Sequence, residues 1–87
     1  MDFIVTNTGM FCPENIVASM EYNLENCKAY CKTNGATRLT YYNNGYCRCC
    51  TPASGISQSD DVEATVYTLE GNIKFSIHVT QLSNKNQ

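Results

Sequence analysis

The sequence predicts a small α+β domain, stapled by disulfides, in which one helix packs on an antiparallel sheet of four to six strands. The chain has 87 residues, and a domain of that size buries only about 60–65% of the surface of its unfolded chain, so its core needs further support. It contains six cysteines, an even number that can pair completely. One stretch of helical periodicity stands among segments that alternate between apolar and polar residues. We therefore expect a single domain over residues 1–87.

The N-terminal part of the chain predicts two strands. Residues 1–11 alternate loosely, with Phe3 and Val5 on one side, which indicates a strand leading to Cys12. Residues 14–22 are ambiguous, and within them we expect Ile16 and Val17 to be buried in a short strand.

A helix is predicted over residues 24–33. Asn23 is placed to cap it, because its side chain can accept a hydrogen bond from a free amide of the first turn. Asn34 and Gly35 supply the stop, since glycine tolerates the left-handed conformation that often follows a helix. One apolar stripe runs along the helix and comprises Leu24, Cys27, Tyr30 and Cys31.

Residues 36–50 predict a β-hairpin. The length of its turn sets which residues of the two strands lie opposite each other. A two-residue turn, Asn44 and Gly45, would place polar residues on the face of the cysteines. A three-residue loop over 43–45, with Gly45 left-handed, instead puts two apolar residues there. We favour the second register because it gathers the apolar side chains on one face, formed by Leu39, Tyr41, Cys47 and Cys49. Cys50 then points to the opposite face.

The C-terminal part predicts a polar loop followed by a second hairpin. Residues 51–61 are rich in turn formers. Residues 62–69 and 73–82 predict strands joined by a turn at 70–72, and residues 83–87 predict a frayed tail. The strand over 73–82 alternates cleanly, with one apolar face made of Ile73, Phe75, Ile77 and Val79.

The cysteine positions suit bridges between the helix and the hairpin. Cys27 and Cys31 lie four residues apart on one helix face, and Cys47 and Cys49 lie two apart on one strand face. Two parallel bridges can join these pairs, which leaves Cys50 for the upstream cysteine. Spacing alone leaves fifteen connectivities open. The most direct one is Cys27–Cys47, Cys31–Cys49 and Cys12–Cys50, and full pairing implies an extracellular or secretory compartment.

A metal site is the main alternative use of the cysteines. Structural zinc ligands usually come in pairs two to four residues apart on tight turns, and the single histidine, His78, is distant in the sequence. Two cysteines would also be left over. We therefore expect no metal or other cofactor, and complete pairing leaves no thiol for catalysis. No catalytic residue is predicted, and we expect the chain not to be an enzyme.

Three segments, YNLENCKAYC, TRLTYYNNGYC and VYTL, carry a resemblance to a known family. They give, in order, a capped helix with cysteines, an aromatic-rich hairpin and a closing strand. Over residues 12–69 this pattern resembles the PAN/apple family and its WSC-related domains. The cysteine spacing is also similar to that of the cysteine-stabilised αβ scaffold of defensins and toxins, but this chain is longer and its net charge is −2. The PAN/apple resemblance implies a non-enzymatic extracellular module that binds proteins or carbohydrates.

Tyr42 and Tyr46 are predicted neighbours on the outer face of the hairpin, beside Asn43 and Asn44. Flat rings with amide donors and acceptors are suited to holding a sugar. A cross-strand aromatic pair that only stabilises the hairpin is the simpler interpretation.

Apolar strands at residues 1–11 and 70–82 flank the family-like core. A strand with the apolar face of residues 73–79 must pair, since its amides and side chains would otherwise be exposed together. It either pairs within the sheet of its own chain or adds to the sheet of a neighbouring copy. If each copy adds its strand to the next in a head-to-tail arrangement, the copies form a filament.

The leading functional hypothesis is an extracellular structural subunit that self-assembles into a fibre or coat through its terminal strands. The alternative is a soluble module that binds carbohydrate or protein through the Tyr42 and Tyr46 face, and a secreted toxin or inhibitor ranks third. The six Lys and Arg residues are scattered, so no nucleic-acid partner is expected. No apolar run approaches the ~20 residues that span a bilayer. The loop hydroxyls are candidates for O-glycosylation, namely Thr51, Ser54, Ser57 and Ser59.

Overall fold

Seven strands and one main helix make up the computed structural model, which describes residues 1–60 and 63–72. The elements are β1 (Phe3–Thr8), β2 (Met10–Phe11), β3 (Asn15–Met20), α1 (Leu24–Thr33), β4 (Arg38–Tyr41), β5 (Tyr46–Cys50), β6 (Ser57–Gln58) and β7 (Thr65–Leu69). Five strands form one antiparallel sheet in the order β1-β7-β4-β5-β3, and β2 pairs with β6 in a small second sheet. The predicted α+β class, with one helix on an antiparallel sheet, is confirmed.

Helix α1 begins and ends where the sequence predicts. The amide of Asn26 donates a hydrogen bond of 2.8 Å to Oδ1 of Asn23, which satisfies one free donor of the first turn. Gly35 follows the helix with a φ of 79°, the left-handed conformation that glycine adopts without a Cβ clash. Cys27 and Cys31 are fully buried, so the helix rests on the sheet through its cysteine face.

The hairpin of β4 and β5 has the register with the three-residue loop. Leu39 lies opposite Cys49, and Tyr41 lies opposite Cys47. Gly45 has a φ of 97°, and an added Cβ there would lie 3.1 Å from the ring of Tyr22. The loop therefore requires glycine for both its backbone conformation and its close approach to the preceding segment.

Three disulfides fasten the helix and the N-terminal segment to the hairpin. They join Cys12 to Cys50, Cys27 to Cys47, and Cys31 to Cys49. These are the pairs that the helix and strand periods favour. The two helix bridges are neighbours, with the sulfurs of Cys31 and Cys47 at 3.7 Å. They form the centre of a core on the helix side that also contains Phe3, Ala36 and Leu39.

The opposite side of β4 is covered by the N-terminal segment and the loop after β5. The amide of Cys12 donates to Oγ1 of the fully buried Thr40 at 3.0 Å. Arg38 donates to the carbonyl of Ser54, a residue that is itself only 4% exposed. The second face of the sheet therefore has its own small buried layer, held by the Cys12–Cys50 bridge.

Two expectations for the flanking segments are wrong. Ile16 is 44% exposed, because β3 is an edge strand and only alternate side chains, such as the half-buried Val17, turn toward the core. Residues 70–72 are helical, so the hairpin turn expected there does not form. The loop over 51–61 also contains the short strand β6, which the sequence did not predict. The apolar strand predicted over 73–82 lies outside the described residues.

Candidate association surfaces

Among the strands of residues 1–60 and 63–72, the sheet has two open edges, at β1 and at β3. Within these residues β1 pairs only with β7, and β3 pairs only with β5. β7, in contrast, lies between β1 and β4 and has a strand on each side. A strand that follows β7 in the chain therefore has no edge of β7 to pair with, although sequence proximity favours such a hairpin.

The β1 edge is partly occupied by its own polar groups. Oδ1 of Asp2 accepts a hydrogen bond of 2.8 Å from the amide of Phe3. This bond, with the nearby Lys28 ammonium group at 3.3 Å, holds the pKa of Asp2 below its ordinary value. The pairing register shifts between Val5 and Asn7, which marks a bulge in the strand. Exposed apolar side chains remain on this strand, with Ile4 at 40% and Val5 at 51%.

The β3 edge carries no charged residue along its six positions. Ile16, Ala18 and Met20 are exposed and alternate with half-buried neighbours that face the core. Ile16 is 44% and Met20 is 42% exposed. Natural edge strands are usually protected by lysine, proline or a covering loop. Within the part of the chain that the structure describes, no such protection lies along β3, which makes this edge a candidate contact surface.

Tyr42 and Tyr46 lie together on the outer face of the hairpin, as the preferred register predicts. Their ring centroids are 5.7 Å apart at an interplanar angle of 34°. Asn43 and Asn44 are exposed beside them. Oδ1 of Asn44 accepts from the amide of Tyr46 at 3.0 Å, so this side chain stabilises the turn and only its amide nitrogen remains for a ligand.

Sequence reasoning missed three residues of this tyrosine face. The guanidinium group of Arg48 donates to the hydroxyl of Tyr42 at 3.4 Å and lies 5.7 Å from the ring centre of Phe11. Met20 of β3 lies opposite Tyr46 and joins the face to the β3 edge. The hairpin register could have identified Arg48, because it lies two residues after Tyr46 on the same strand face; Phe11 and Met20 reach this face only through the fold.

The cysteines offer no free thiolates for a metal. The sulfurs of Cys27, Cys31 and Cys47 lie within 4.8 Å of one another, a separation at which a metal ion can be held. Each of them is bonded in a disulfide, and the described part of the chain has no free cysteine. A metal site there would require the loss of two bridges.

The candidate glycosylation positions differ in accessibility. Ser54 is 4% exposed, accepts from the amide of Glu14 and donates to the carbonyl of Gly55, so its hydroxyl leaves no room for a glycan. Thr51, Ser57 and Ser59 are half-exposed. His78, the one histidine, lies outside the described residues.

An open groove of about 310 Å³ lies beside the helix. It is lined by Glu21, Asn26, Ala29, Tyr30 and Thr33. A second groove, of about 330 Å³, lies where β2 meets β6. Neither groove is lined by a histidine or a cysteine.

Comparisons with known proteins identify no relative of this chain. No protein-family model, curated protein or solved structure matches the chain. Within residues 1–60 and 63–72, no helix has the length and apolar character needed to cross a membrane.

Proposed function

We propose that this chain is a non-enzymatic extracellular association module, a structural subunit that builds a fibre or coat by adding its C-terminal strand to the sheet of another copy. The single observation that carries the proposal is the position of β7. Because β1 and β4 flank it, the apolar strand predicted after it cannot complete a hairpin with β7. The face formed by residues 73–79 must then be covered in another way.

Each molecule supplies both parts of such a contact. The donor is the segment after residue 72, and the acceptor is an open sheet edge elsewhere on the domain. Donor and acceptor are different surfaces, so the contact is head-to-tail and does not close on itself, which is the geometry of a filament. The disulfide framework supports an oxidising location for this assembly, and the PAN/apple resemblance is consistent with a role in binding.

The test compares two single substitutions in the full-length, oxidised protein. Phe75→Asp places a charge on the apolar face of the predicted donor strand, whereas Ser76→Asp places the same charge on its polar face. Light scattering on a sizing column and negative-stain microscopy should show open-ended particles for the native chain and for Ser76→Asp. Phe75→Asp should give a monomer of 9.7 kDa. A native chain that stays monomeric at high concentration would refute the proposal.

A second candidate function is carbohydrate binding at the tyrosine face. The observation that favours it is the tilted pair of partly exposed rings, with Arg48 donating to the Tyr42 hydroxyl. Such a surface offers stacking faces and charged donors together. Replacing Tyr42 and Tyr46 by Ala should abolish binding on a glycan array, while Tyr42→Phe should retain most of it because the ring remains. Equal binding by the alanine variant would contradict this role.

A further inference from the structure

The two open edges of the sheet are not equivalent acceptors. Backbone groups point alternately to the two sides of a strand, so the groups available to a new strand can be identified. The amide of Glu70 donates to the carbonyl of Asp2, which turns Asp2 and Ile4 toward β7 and leaves Phe3 and Val5 facing outward. The Phe3 amide is already bonded to the Asp2 carboxylate. The bulge after Val5 then interrupts the row of groups.

The β3 edge has a register shift of its own, between Asn15 and Val17, and is regular beyond it. The amide of Glu21 donates to the carbonyl of Gly45, so Glu21 and Ser19 face β5 while Met20 and Ala18 face outward. The register is regular from Val17 to Met20. Over these four residues, the amides of Ala18 and Met20 therefore point to the side on which a further strand would pair.

The side chains of β3 also match the predicted donor. Its exposed residues recur at every second position, Ile16, Ala18 and Met20, and the donor has apolar residues at every second position from Ile73 to Val79. Side chains of paired strands that share a face lie about 4.5–5.5 Å apart at Cβ. Pairing therefore places the apolar row of the donor next to the apolar row of β3. β3 has no charged residue that would lie beside the donor.

We infer that β3, and not β1, is the edge that accepts the C-terminal strand of a second copy of this chain. This inference rests on the proposed self-assembly and specifies its acceptor. The apolar row of the donor lies beside Ile16, Ala18 and Met20 in the extended sheet, and its backbone pairs with the outward groups of Ala18 and Met20. β5, with Tyr46 opposite Met20, lies on the other side of β3 from the donor.

The chain provides a matched pair of isoleucines for the test. Ile16 on β3 is 44% exposed and Ile4 on β1 is 40% exposed, so Ile16→Lys and Ile4→Lys introduce the same charge at similar exposure. We expect Ile16→Lys to raise the concentration needed for assembly by about tenfold or more, which corresponds to about 1.4 kcal/mol. Ile4→Lys should leave that concentration unchanged.

The alternative outcomes separate the two levels of the proposal. Loss of assembly in Ile4→Lys alone would make β1 the acceptor and overturn this inference, while self-assembly itself would stand. If both variants assemble at the same concentration as the native chain, β3 is not the acceptor and the inference is also overturned. A native chain that never assembles would instead refute the proposed function.

Hydrogen exchange on the native chain keeps the test decisive if a lysine variant fails to fold. The amides of Ala18 and Met20 should gain protection on assembly, and that of Val5 should not. Protection of Val5 with unchanged exchange at Ala18 would overturn the inference.

Discussion

Thr40 provides a direct test of the buried layer on the second face of the sheet. Its side chain is fully buried, and its hydroxyl accepts the Cys12 amide at 3.0 Å. The sulfur of Cys50 is 4.0 Å from the same oxygen and is a weak partner. Thr40→Val keeps the shape of the side chain but leaves the Cys12 amide buried without this acceptor. Such a loss costs about 1–3 kcal/mol.

The serine variant separates the hydrogen bond from packing. Thr40→Ser keeps the hydroxyl and removes one methyl group, which costs about 1 kcal/mol. We therefore expect Thr40→Val to lower the free energy of unfolding by about 2 kcal/mol, more than Thr40→Ser does. Thr6→Val is the control, because Thr6 is exposed and its hydroxyl makes only a surface contact with the Thr68 hydroxyl and a long bond of 3.4 Å to the Val66 carbonyl; a change within about 0.5 kcal/mol is expected.

Urea unfolding of the oxidised proteins measures these differences. In a domain of this size, 1 kcal/mol also corresponds to roughly 4–8 °C in Tm, so thermal unfolding gives a second reading. A valine variant as stable as the serine variant, or more stable, would refute the reasoning, since the Cys12 amide would then need no acceptor from Thr40.

Three further predictions concern the loop, the outer bridge and the N-terminus. Gly45→Ala should lower the free energy of unfolding in urea by about 1–3 kcal/mol, because its φ of 97° is strained for any residue with a Cβ; an unchanged midpoint would contradict this. Replacing Cys12 and Cys50 by Ala removes a bridge between residues 38 apart and should cost about 3 kcal/mol, since the inner bridges already shorten the loop that it closes; a loss below about 1 kcal/mol would argue against that account. Asp2 has a folded-state pKa below its ordinary value of 3.8, because the Phe3 amide bonds its carboxylate. Its contribution to stability is therefore present above that ordinary value and is lost as pH falls through the folded-state pKa. NMR titration of the Asp2 side chain should show this, and a midpoint at or above 3.8 would contradict it.

The helix and the hairpin could be predicted because their signals are local. Asn23, the cysteine stripe and Gly35 all lie within one short segment, and each satisfies a requirement of the helix itself. The hairpin register follows from one condition, that the apolar side chains share a face with Cys47 and Cys49. The two periods, four residues on a helix and two on a strand, favour bridges between the helix and the hairpin. The structure selects the most direct pairing among the connectivities that spacing leaves open.

The mistaken expectations share a different cause, the dependence on strand order. Within the ambiguous segment 14–22, Ile16 and Val17 suggest a short buried strand, but the place of that strand at the edge of the sheet leaves Ile16 exposed. Residues 70–72 resemble a hairpin turn in composition, yet β1 already occupies the side of β7 that such a hairpin would use. No local signal reports that β1 has paired with a strand about 60 residues later in the chain.

The candidate surfaces divide in the same way. The Tyr42 and Tyr46 pair could be predicted from the hairpin register, whereas the contacts of Arg48 with Tyr42 and Phe11 needed the folded structure. Ser54 has the composition of an exposed loop residue, and its burial arises because that loop folds against Arg38.

The sequence by itself determined the helix, the hairpin and the fact that this is a small disulfide-rich domain. Caps, turns and side-chain periods act over a few residues, so their signals can be read locally. Only the tertiary structure decided which strands lie at the edges, because strand order depends on pairings between distant segments. That order buries Thr40, exposes Ile16 and, among the described strands, leaves β3 at an open edge. The edge on which assembly is proposed is thus a product of long-range pairing, which no local pattern encodes.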